Sequence, residues 1–446
     1  MNFFDNNKKS ILIYNPLSHV GHFDSWCAIF TKCLLDSGWT VCVITKNSQK
    51  IFDSFPQEIA KDASPLLILD DHSVIKDNHY YNFCRKVLDK LKVFEFLEHI
   101  QINLNPSPKN ERMRFLKRGY NYCVRKITNS LNKIFQPKLI ISATNPMEFA
   151  SDINLAINLL GTPPKVVMNM YVDLYTSDSV MWETFARSMQ CKWAAIHMDM
   201  THTLVNKPYW KSAALKTIFT INEPATTLVD GDVKRMNYQW LPDVTDISMP
   251  VSPSQIAIQI QERANSRNII FLGGAIGGTK NLSLWSELVF KADKGMFFFV
   301  QVGKIDHGTL SANDLAGLQQ LLSIKRENFF CLDDYLSDEA VFNELVSKSA
   351  VIWGLYRGFD RSSNILTKAA LFSKPIIVSK DYLMGQRVNQ YKIGCAISET
   401  DVHEALDAIN YLIENPICAD NFKNYSAVYS TQALSAKLDQ SLVSVI

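Results

Sequence analysis

The residues with the clearest chemical potential lie in two stretches of the second half of the chain. FLGGAIGGTKN occupies residues 271–281 and places Lys280 just beyond four glycines. GLYRGFDRSSNILTKAALFSKPIIVS occupies residues 354–379 and carries polar residues at 362–364, where a helix should begin. Glycines after an apolar strand let the backbone approach a ligand closely, and a lysine at the next helix start can pair with a diphosphate. Because N–H groups at a helix start attract anions, these residues predict an anion site, unless they form only a tight loop and an ordinary cap.

The spacing of the glycines excludes two common nucleotide loops. A dinucleotide-binding loop needs G-x-G-x-x-G and an acidic residue near the end of the next strand. The four glycines do not follow that spacing, although Asp306 lies near the end of the next apolar run. The first half offers only NPLSHVGHFDSW, with a single glycine at position 21. A P-loop is excluded as well, because no G-K-[ST] follows the glycines.

The elements that must position these residues alternate between short apolar runs and helical stretches. Strands are predicted at residues 10–15, 40–45, 65–69, 138–142, 165–170, 194–198, 217–221, 268–274, 296–303, 328–332, 350–355, 374–379 and 394–397. A helix with Asp24 as its N-cap and Gly38 as its stop separates the first two strands. Continuous apolar strands favour parallel sheets covered on both faces, so we expect two doubly wound α/β domains.

The domain boundary is predicted by a stretch rich in Pro, Asp and Ser near residue 250. A chain of 446 residues is too long for one ordinary core. We expect a first domain over residues 1–243, a linker over 244–265, a second domain over 266–425 and a closing C-terminal helix over 426–446.

One segment of the first domain stands out by its charge. Residues 109–138 carry nine Lys or Arg residues against a single acid, Glu111. The apolar positions follow helical spacing, which predicts a basic amphipathic helical insertion over about 109–136. Such a helix either packs by its apolar stripe, leaving a solvated basic face, or docks on an anionic membrane surface or acidic acceptor.

The composition of the whole chain narrows the class of protein. It is 47% hydrophobic and 20% charged, with a formal net charge of +2, which argues against a dedicated nucleic-acid binder. No apolar stretch approaches the length of a membrane span, and the four-residue apolar run near the N-terminus is too short for a signal-peptide core. The nine cysteines are scattered, as expected for small buried hydrophobes in a reducing compartment. We therefore expect a cytoplasmic protein, with the inner face of the cytoplasmic membrane as one possible location.

In the order and spacing of its motifs the chain resembles the GT-B glycosyltransferases, in particular the large retaining family that uses nucleotide-sugar donors (glycosyl transferases group 1, family 4 type). KAALFSKPIIVSKDYLMGQRVNQYKIGCAI, at residues 368–397, is in register with the family's EAMACGKPVVA…G…E.V…G.G and is the most specific match. SHVGHF, WLPDVTD and IIFLGGAIGGTKN resemble its first glycine loop, its passage to the linker and the opening of its donor domain. The resemblance implies the GT-B fold, with two Rossmann-like domains facing across a cleft.

The resemblance also implies a site, with two departures from the family pattern. The family's paired glutamates fall on Asp360, which is still acidic, and on Lys368, which cannot accept hydrogen bonds from ribose hydroxyls. The family's phosphate-side arginine is replaced by Gly274, which leaves Lys280 and an arginine of the second stretch to neutralise the diphosphate. The catalytic candidates are His197, Asp360 and Lys280, and the substrate-binding candidates are Gly21, His22, Gly274, Arg357, Arg361, Ser362, Ser363, Asn364 and Lys368.

His197 is chosen because it ends a predicted strand, where ligands of α/β proteins bind. The resembling enzymes often place a histidine of the first domain near the donor sugar. Asp199 lies beside it in sequence, and His202 and Asp173 are weaker candidates. A hydrogen-bonded structural histidine is the alternative interpretation.

The function implied is transfer of a sugar, of the hexosyl type, from a nucleotide-diphosphate-sugar donor to a glycan or lipid-linked acceptor. Retention of configuration is expected, with no metal and no cofactor, because the departing phosphate itself would take the acceptor's proton. Surface polysaccharide biosynthesis on a lipid carrier fits a protein at the membrane face. Two alternatives stay open: a nucleotide-sugar epimerase of the same fold, and a degenerate GT-B protein that binds without turnover.

Overall fold

Runs of β-branched and other apolar residues build two separate parallel sheets, one in each half of the chain. The computed structural model describes residues 3–5, 7–18, 23–55, 65–70, 139–176, 178–189, 191–198, 209, 212–221 and 237–446. The basic helix predicted over residues 109–136 lies outside these ranges. Strands and helices carry numbers in chain order over the described residues.

The first sheet contains seven described strands in the order β3-β2-β1-β4-β5-β6-β7. The strands are β1 Ser10–Asn15, β2 Thr40–Thr45, β3 Leu66–Leu69, β4 Val166–Asn169, β5 Trp193–His197, β6 Leu215–Thr220 and β7 Asn237–Trp240. The described helices beside it are α1 Phe23–Asp36, α2 Ser48–Ser54, α3 Pro146–Leu160 and α4 Ser179–Ser188. All residues of β1, β4 and β5 are buried, as expected for strands covered on both faces.

The second sheet contains six strands in the order β10-β9-β8-β11-β12-β13. The strands are β8 Asn268–Gly273, β9 Phe297–Val302, β10 Phe329–Leu332, β11 Val351–Gly354, β12 Ile376–Ser379 and β13 Gly394–Ile397. The helices are α5 Gln255–Ala264, α6 Leu282–Lys291, α7 Ala312–Ile324, α8 Glu339–Lys348, α9 Asn364–Leu371, α10 Leu383–Tyr391, α11 Val402–Glu414, α12 Ala419–Val428 and α13 Thr431–Val443. All the strand pairs are parallel, which confirms the doubly wound α/β prediction.

The strand predicted at residues 138–142 is wrong. The Ile140 N–H donates to the Asp152 carboxylate at 2.9 Å, and the Ser142 N–H donates to the Tyr14 hydroxyl at 3.1 Å. Because side chains satisfy these backbone donors, the segment needs no neighbouring strand. Its apolar character reflects the burial of two of its side chains.

Two further details of the first domain differ from the sequence prediction. Strand β7 is missing from the predicted set, because its residues, NYQW, lack a continuous apolar run. Asp24 lies inside the first turn of α1 and is not its N-cap, and its carboxylate accepts a hydrogen bond from Asn47 Nδ2 at 2.8 Å. Gly38 does follow the end of the helix with a left-handed φ of +79°, as predicted.

The segment between the two sheets contains helix α5. This helix lies inside the linker predicted over residues 244–265, and its buried Ala257, Ile260 and Ala264 pack in the core of the second domain. The Ser254 hydroxyl accepts a hydrogen bond from the Ala257 N–H and so caps the helix. Residues 241–250 before it are irregular.

The last helix, α13, returns to the first domain. Leu434, Leu438 and Leu442 belong to the hydrophobic core that contains β1 and α1. The Asp439 carboxylate accepts a hydrogen bond from Trp39 Nε1 at 2.7 Å and pairs with the Lys9 amine at 2.8 Å. The end of the chain therefore ties the second half to the first.

Candidate functional site

The two stretches with candidate anion-binding residues, 271–281 and 354–379, meet at the carboxyl edge of the second sheet. Strands β8 and β11 are neighbours, and the order of strands reverses between them. In open α/β sheets a ligand crevice forms at such a reversal. The glycine loop after β8 (residues 274–281) and the polar loop after β11 (residues 355–363) therefore border the same crevice.

Contacts between two loops explain why glycine is needed at Gly278 of one loop and at Gly303 of the other. The glycine loop runs beside the loop after β9 and forms one further bridge with it, Ile276 to Ile305. A Cβ at Gly303 would lie 1.8 Å from the Gly274 carbonyl oxygen, and a Cβ at Gly278 would lie 2.3 Å from the Thr309 carbonyl oxygen. These glycines are required by loop packing, whether or not a ligand binds.

Gly274 differs from the other glycines of the loop. Its φ is +92°, a conformation that side chains other than that of glycine rarely adopt. Among the described residues, a Cβ at this position would meet one atom within 4 Å besides its chain neighbours, the Lys280 Nζ at 3.7 Å. No other described residue fills the space beside the Lys280 amine on the Gly274 side.

Lys280 is held at this opening by two oxygen atoms. The loop ends in a short 3₁₀ turn, Gly278–Lys280, and the half-buried amine turns back toward the sheet. It donates to the Gly273 carbonyl at 3.1 Å and to the Tyr356 hydroxyl at 2.5 Å. Among the described residues no carboxylate pairs with it, so its positive charge is not compensated locally.

Arg357, in contrast, already has a carboxylate partner. Its Nη2 lies 2.5 Å from the Asp314 carboxylate and 2.9 Å from the Gly278 carbonyl. Burial raises the pKa of Asp314, but hydrogen bonds from Ser311, Ser283 and Arg357 outweigh it and hold that pKa below the usual value. Arg357 therefore fastens the two loops together, and Lys280 is the better candidate for an anion.

Ser362 takes part in a contact between the two halves of the chain. Its hydroxyl donates to the Asp243 carboxylate in a short hydrogen bond and accepts one from Arg387 Nη1 at 2.5 Å. Arg387 is 2% exposed and also donates to the Ile221 carbonyl, just after β6 of the first sheet, at 3.2 Å. The polar loop is thus linked to the segment that leaves the first domain.

The remaining candidates of the polar loop lie at its surface or at the start of α9. Asp360 and Arg361 are exposed. Ser363 occupies the N-cap position, but its side chain makes no capping hydrogen bond, and Asn364 is the first helical residue. The predicted helix start is therefore confirmed, whereas capping by the serine side chain is wrong.

Lys368 is enclosed by protein and is only 1% exposed. Its amine lies 2.6 Å from the Glu339 carboxylate, 2.5 Å from Asn343 Oδ1 and 2.8 Å from the Asp246 carbonyl. Burial lowers its pKa, and Glu339 opposes that change. An ammonium has three protons to donate, and here three acceptors take them. In this arrangement none is left for a substrate.

Glu339 is a polar residue that sequence reasoning missed. It opens α8, its side chain is 19% exposed, and Lys368 is its only hydrogen-bond or ion-pair partner among the described residues. Burial raises the pKa of the nearby Tyr335, and the carboxylates of Glu339 and of Asp24 in the first domain raise it further. Acidic residues at a helix start usually stabilise the helix through its dipole, so nothing in the sequence marked Glu339 as a binding candidate.

The candidates in the first domain are less accessible. His197 ends β5, as predicted, but it is only 1% exposed and its ring centroid lies 6.3 Å from that of Tyr209. Asp173 lies in a short 3₁₀ turn after β4. Four further candidates fall outside the described residues: Gly21, His22, Asp199 and His202.

The described part of the chain contains neither a metal-binding cluster nor a membrane-spanning helix. Its His, Cys, Asp and Glu residues nowhere gather in a group of three that could hold a metal ion. None of its helices is long and apolar enough to cross a bilayer. Its cysteines are free thiols, and burial raises the pKa of those in the core, such as Cys27 and Cys42.

Comparisons with known proteins identify the fold. No protein-family model matches the chain, and no curated protein matches its sequence. Similar solved structures include HepE of Anabaena in complex with UDP and glucose, with 11% identity, a TM-score of 0.59 and coverage of 98% of this chain and 100% of that chain. Sucrose-phosphate synthase of Thermosynechococcus elongatus has 10% identity, a TM-score of 0.58 and coverage of 98% and 99%. A glycosyltransferase of Rickettsia africae has 13% identity, a TM-score of 0.59 and coverage of 98% of both chains.

This likeness covers nearly the whole chain at very low identity, so it shows the fold and not the activity. The chain has the GT-B fold, which confirms the fold class expected from the sequence.

The enclosure of Lys368 leads to a prediction about stability. Replacing Lys368 by Met keeps most of the side-chain volume but leaves the Glu339 carboxylate and Asn343 Oδ1 without the partner that Lys368 provides, whereas the Asp246 carbonyl still accepts a hydrogen bond from Asn343 Nδ2. We expect the free energy of unfolding of the second domain to fall by roughly 3 kcal/mol, as for breaking other buried ion pairs. Urea unfolding followed by tryptophan fluorescence measures this change.

The matched control is Lys423→Met, which removes an exposed lysine paired with Asp420 on α12 and should leave stability almost unchanged. Equal stability of Lys368→Met and the wild-type protein would contradict a structural role for the buried amine.

Proposed function

We propose that this GT-B protein is a glycosyltransferase that moves a hexosyl group from a nucleotide-diphosphate-sugar to a glycan or lipid-linked acceptor. The observation that carries the proposal is Lys280, a cation with no carboxylate partner among the described residues, which lies beside Gly274 where two strand-end loops meet. A diphosphate is the part of such a donor that this cation suits. HepE, a protein of similar fold, has been solved with UDP and with UDP-glucose, which makes UDP-sugars the first donors to test.

In the proposed reaction the enzyme stabilises the charge that develops on the diphosphate as the glycosidic bond breaks. The Lys280 ammonium and the N–H groups at the start of α9 would face this charge. The departing phosphate would take the proton of the attacking acceptor hydroxyl on the same face of the sugar, giving retention without a metal or cofactor. Asp360, exposed on the loop before α9, would approach the sugar.

The acceptor would approach from the first domain. Polar side chains meet there at the carboxyl ends of β1 and β2. Thr45 Oγ1 accepts from Asn15 Nδ2 at 3.3 Å and lies 3.3 Å from Ser18 Oγ. Asn47 lies next to them and donates to the carboxylate of Asp24. Hydroxyl groups of an acceptor sugar suit such mixed donors and acceptors. His197, buried at the end of β5, would support the proposed acceptor side of the site from inside the first domain.

The removal of Lys280 tests the proposed donor site. We expect Lys280→Ala to weaken UDP binding about tenfold to a hundredfold, because a hydrogen bond to a charged group contributes roughly 1.5–3 kcal/mol. The loss of UDP affinity is measured first as a smaller UDP-induced rise in Tm and then by titration calorimetry. Lys294→Ala, which removes an exposed lysine of the same domain, is the control.

Unchanged UDP affinity in Lys280→Ala would exclude this lysine as the diphosphate ligand.

Assays of the wild-type protein with UDP-sugars distinguish a glycosyltransferase from the two alternative functions. An epimerase would interconvert the donor with no acceptor present, and a degenerate binding protein would release no nucleotide.

Glu339 is proposed to accept hydrogen bonds from the hydroxyl groups of the donor, a role that Lys368 cannot take. Lys368 fixes one carboxylate oxygen, and the other has no hydrogen-bond partner among the described residues. The wild-type protein should therefore bind UDP about tenfold more tightly than 2′,3′-dideoxy-UDP, and Glu339→Gln should reduce that ratio, because a charged acceptor is worth more than a neutral one.

Calorimetric titrations with both nucleotides give the ratio. The control is Glu262→Gln, at an exposed position on α5. A ratio that Glu339→Gln leaves unchanged would show that the hydroxyl groups are recognised elsewhere.

A location at the cytoplasmic face of a membrane, in polysaccharide assembly on a lipid carrier, is proposed from the charge of residues 109–138 alone. Nine basic residues there would attract anionic lipids. The protein should co-sediment with vesicles containing anionic phospholipid, and replacing five of the basic residues by Gln should abolish this. Equal sedimentation with neutral vesicles would contradict an electrostatic mode of binding.

A further inference from the structure

We propose that Tyr356 is a positioning residue of this site: its phenol oxygen holds the Lys280 ammonium at the place where it meets the donor's diphosphate. The inference rests on the proposed function, because Tyr356 would act through Lys280 and not by touching the reacting atoms.

The contact between the two side chains is close and has two parts. The Lys280 Nζ lies 2.5 Å from the Tyr356 hydroxyl and 4.0 Å from the centroid of its ring. With the Gly273 carbonyl at 3.1 Å, the amine has three contacts that define its position. A lysine amine sits on a flexible four-carbon stem, so a free one would sample many positions and lose entropy on binding.

Tyr356 is itself anchored and can act as a fixed support. It is 3% exposed and lies in the core of the second domain. Its carbonyl accepts a short hydrogen bond from the Ser379 hydroxyl, and its N–H donates to the Gly354 carbonyl at 2.9 Å. The edge of the Phe359 ring packs against its own, with centroids 5.4 Å apart. The phenol oxygen therefore stays in one place relative to β11.

The phenol holds the ammonium without neutralising it. A carboxylate in its place would form an ion pair, as Asp314 does with Arg357. A phenol and a carbonyl are neutral acceptors, so neither provides a counter-charge for Lys280. Two of its three protons are taken by these acceptors, and the third remains for an anion.

The open side of the ammonium supplies the place for that anion. Apart from the chain neighbours of Gly274, the Lys280 Nζ is the one atom of the described residues within 4 Å of the position that a Cβ at Gly274 would occupy. An anion above Gly274 would therefore reach the remaining proton of the ammonium. Together with Tyr356, Gly274 thus prepares the lysine for its ligand before the ligand arrives.

A double-mutant cycle tests this role against simple packing. Tyr356→Phe keeps the ring and its packing but removes the oxygen, and titration calorimetry then measures binding of UDP and of inorganic pyrophosphate. We expect each probe to bind about fivefold to tenfold more weakly to Tyr356→Phe. In a Lys280→Ala background the same change should have no further effect. Tyr411→Phe, at an exposed position on α11, is the control and should bind both probes as the wild type does.

An equal loss of affinity from Tyr356→Phe in both backgrounds would overturn the proposal, since the oxygen would then act independently of the lysine. Unchanged affinity in the single variant would overturn it as well.

A ligand-free measurement separates this inference from the proposed function. In protein labelled with ¹⁵N at lysine Nζ, the Lys280 ammonium signal, assigned with Lys280→Ala, should shift and report greater mobility in Tyr356→Phe. An unchanged signal would show that the phenol does not hold the amine. If the wild-type protein binds neither probe, the proposed function fails, and the ammonium signal alone decides whether Tyr356 positions Lys280.

Discussion

A lysine ammonium buried away from water needs hydrogen-bond acceptors for its three protons. The cations of the second domain differ in the partners that they have for their charge and their protons. Lys368 has three protein acceptors, one of them a carboxylate, and is therefore an internal structural group. Arg357 has the buried Asp314 carboxylate as its counter-ion. Among the described residues, Lys280 has two neutral acceptors, which fix its position, and no carboxylate partner. The proposed diphosphate would give Lys280 an anionic partner where the loops after β8 and β11 meet.

The rest of the second domain keeps those loops in place. The glycine loop cannot move away from the loop after β9 without losing contacts that are too close for any side chain. Arg357 joins it to the loop after β11, and Asn281 joins it to the Glu399 carbonyl beyond β13. Through Ser362 and Arg387 the same group of loops reaches the segment that connects the two domains. The loops that border the candidate donor site are therefore joined to one another and to the segment that connects the domains.

The fold was largely predictable from the sequence, because continuous apolar runs and their spacing specify parallel strands. The strand expected at residues 138–142 fails because Asp152 and Tyr14 satisfy its backbone, a tertiary contact that no local pattern reveals. At the site, the positions of Lys280 and of the helix start at Asn364 follow from loop chemistry. The partners of each cation do not, since Asp314 and Glu339 come from distant helices. A lysine that binds a ligand and one that is internally paired look the same in sequence.

The most direct test of the account is a crystal structure of the protein with bound UDP. We predict a diphosphate oxygen about 2.7–3.2 Å from Lys280 Nζ, above Gly274, with the Tyr356 contact retained. We also predict that Lys368 still pairs with Glu339 in that complex. A structure in which UDP binds away from the loops after β8 and β11, or in which Lys280 turns away from the diphosphate, would contradict the central claim.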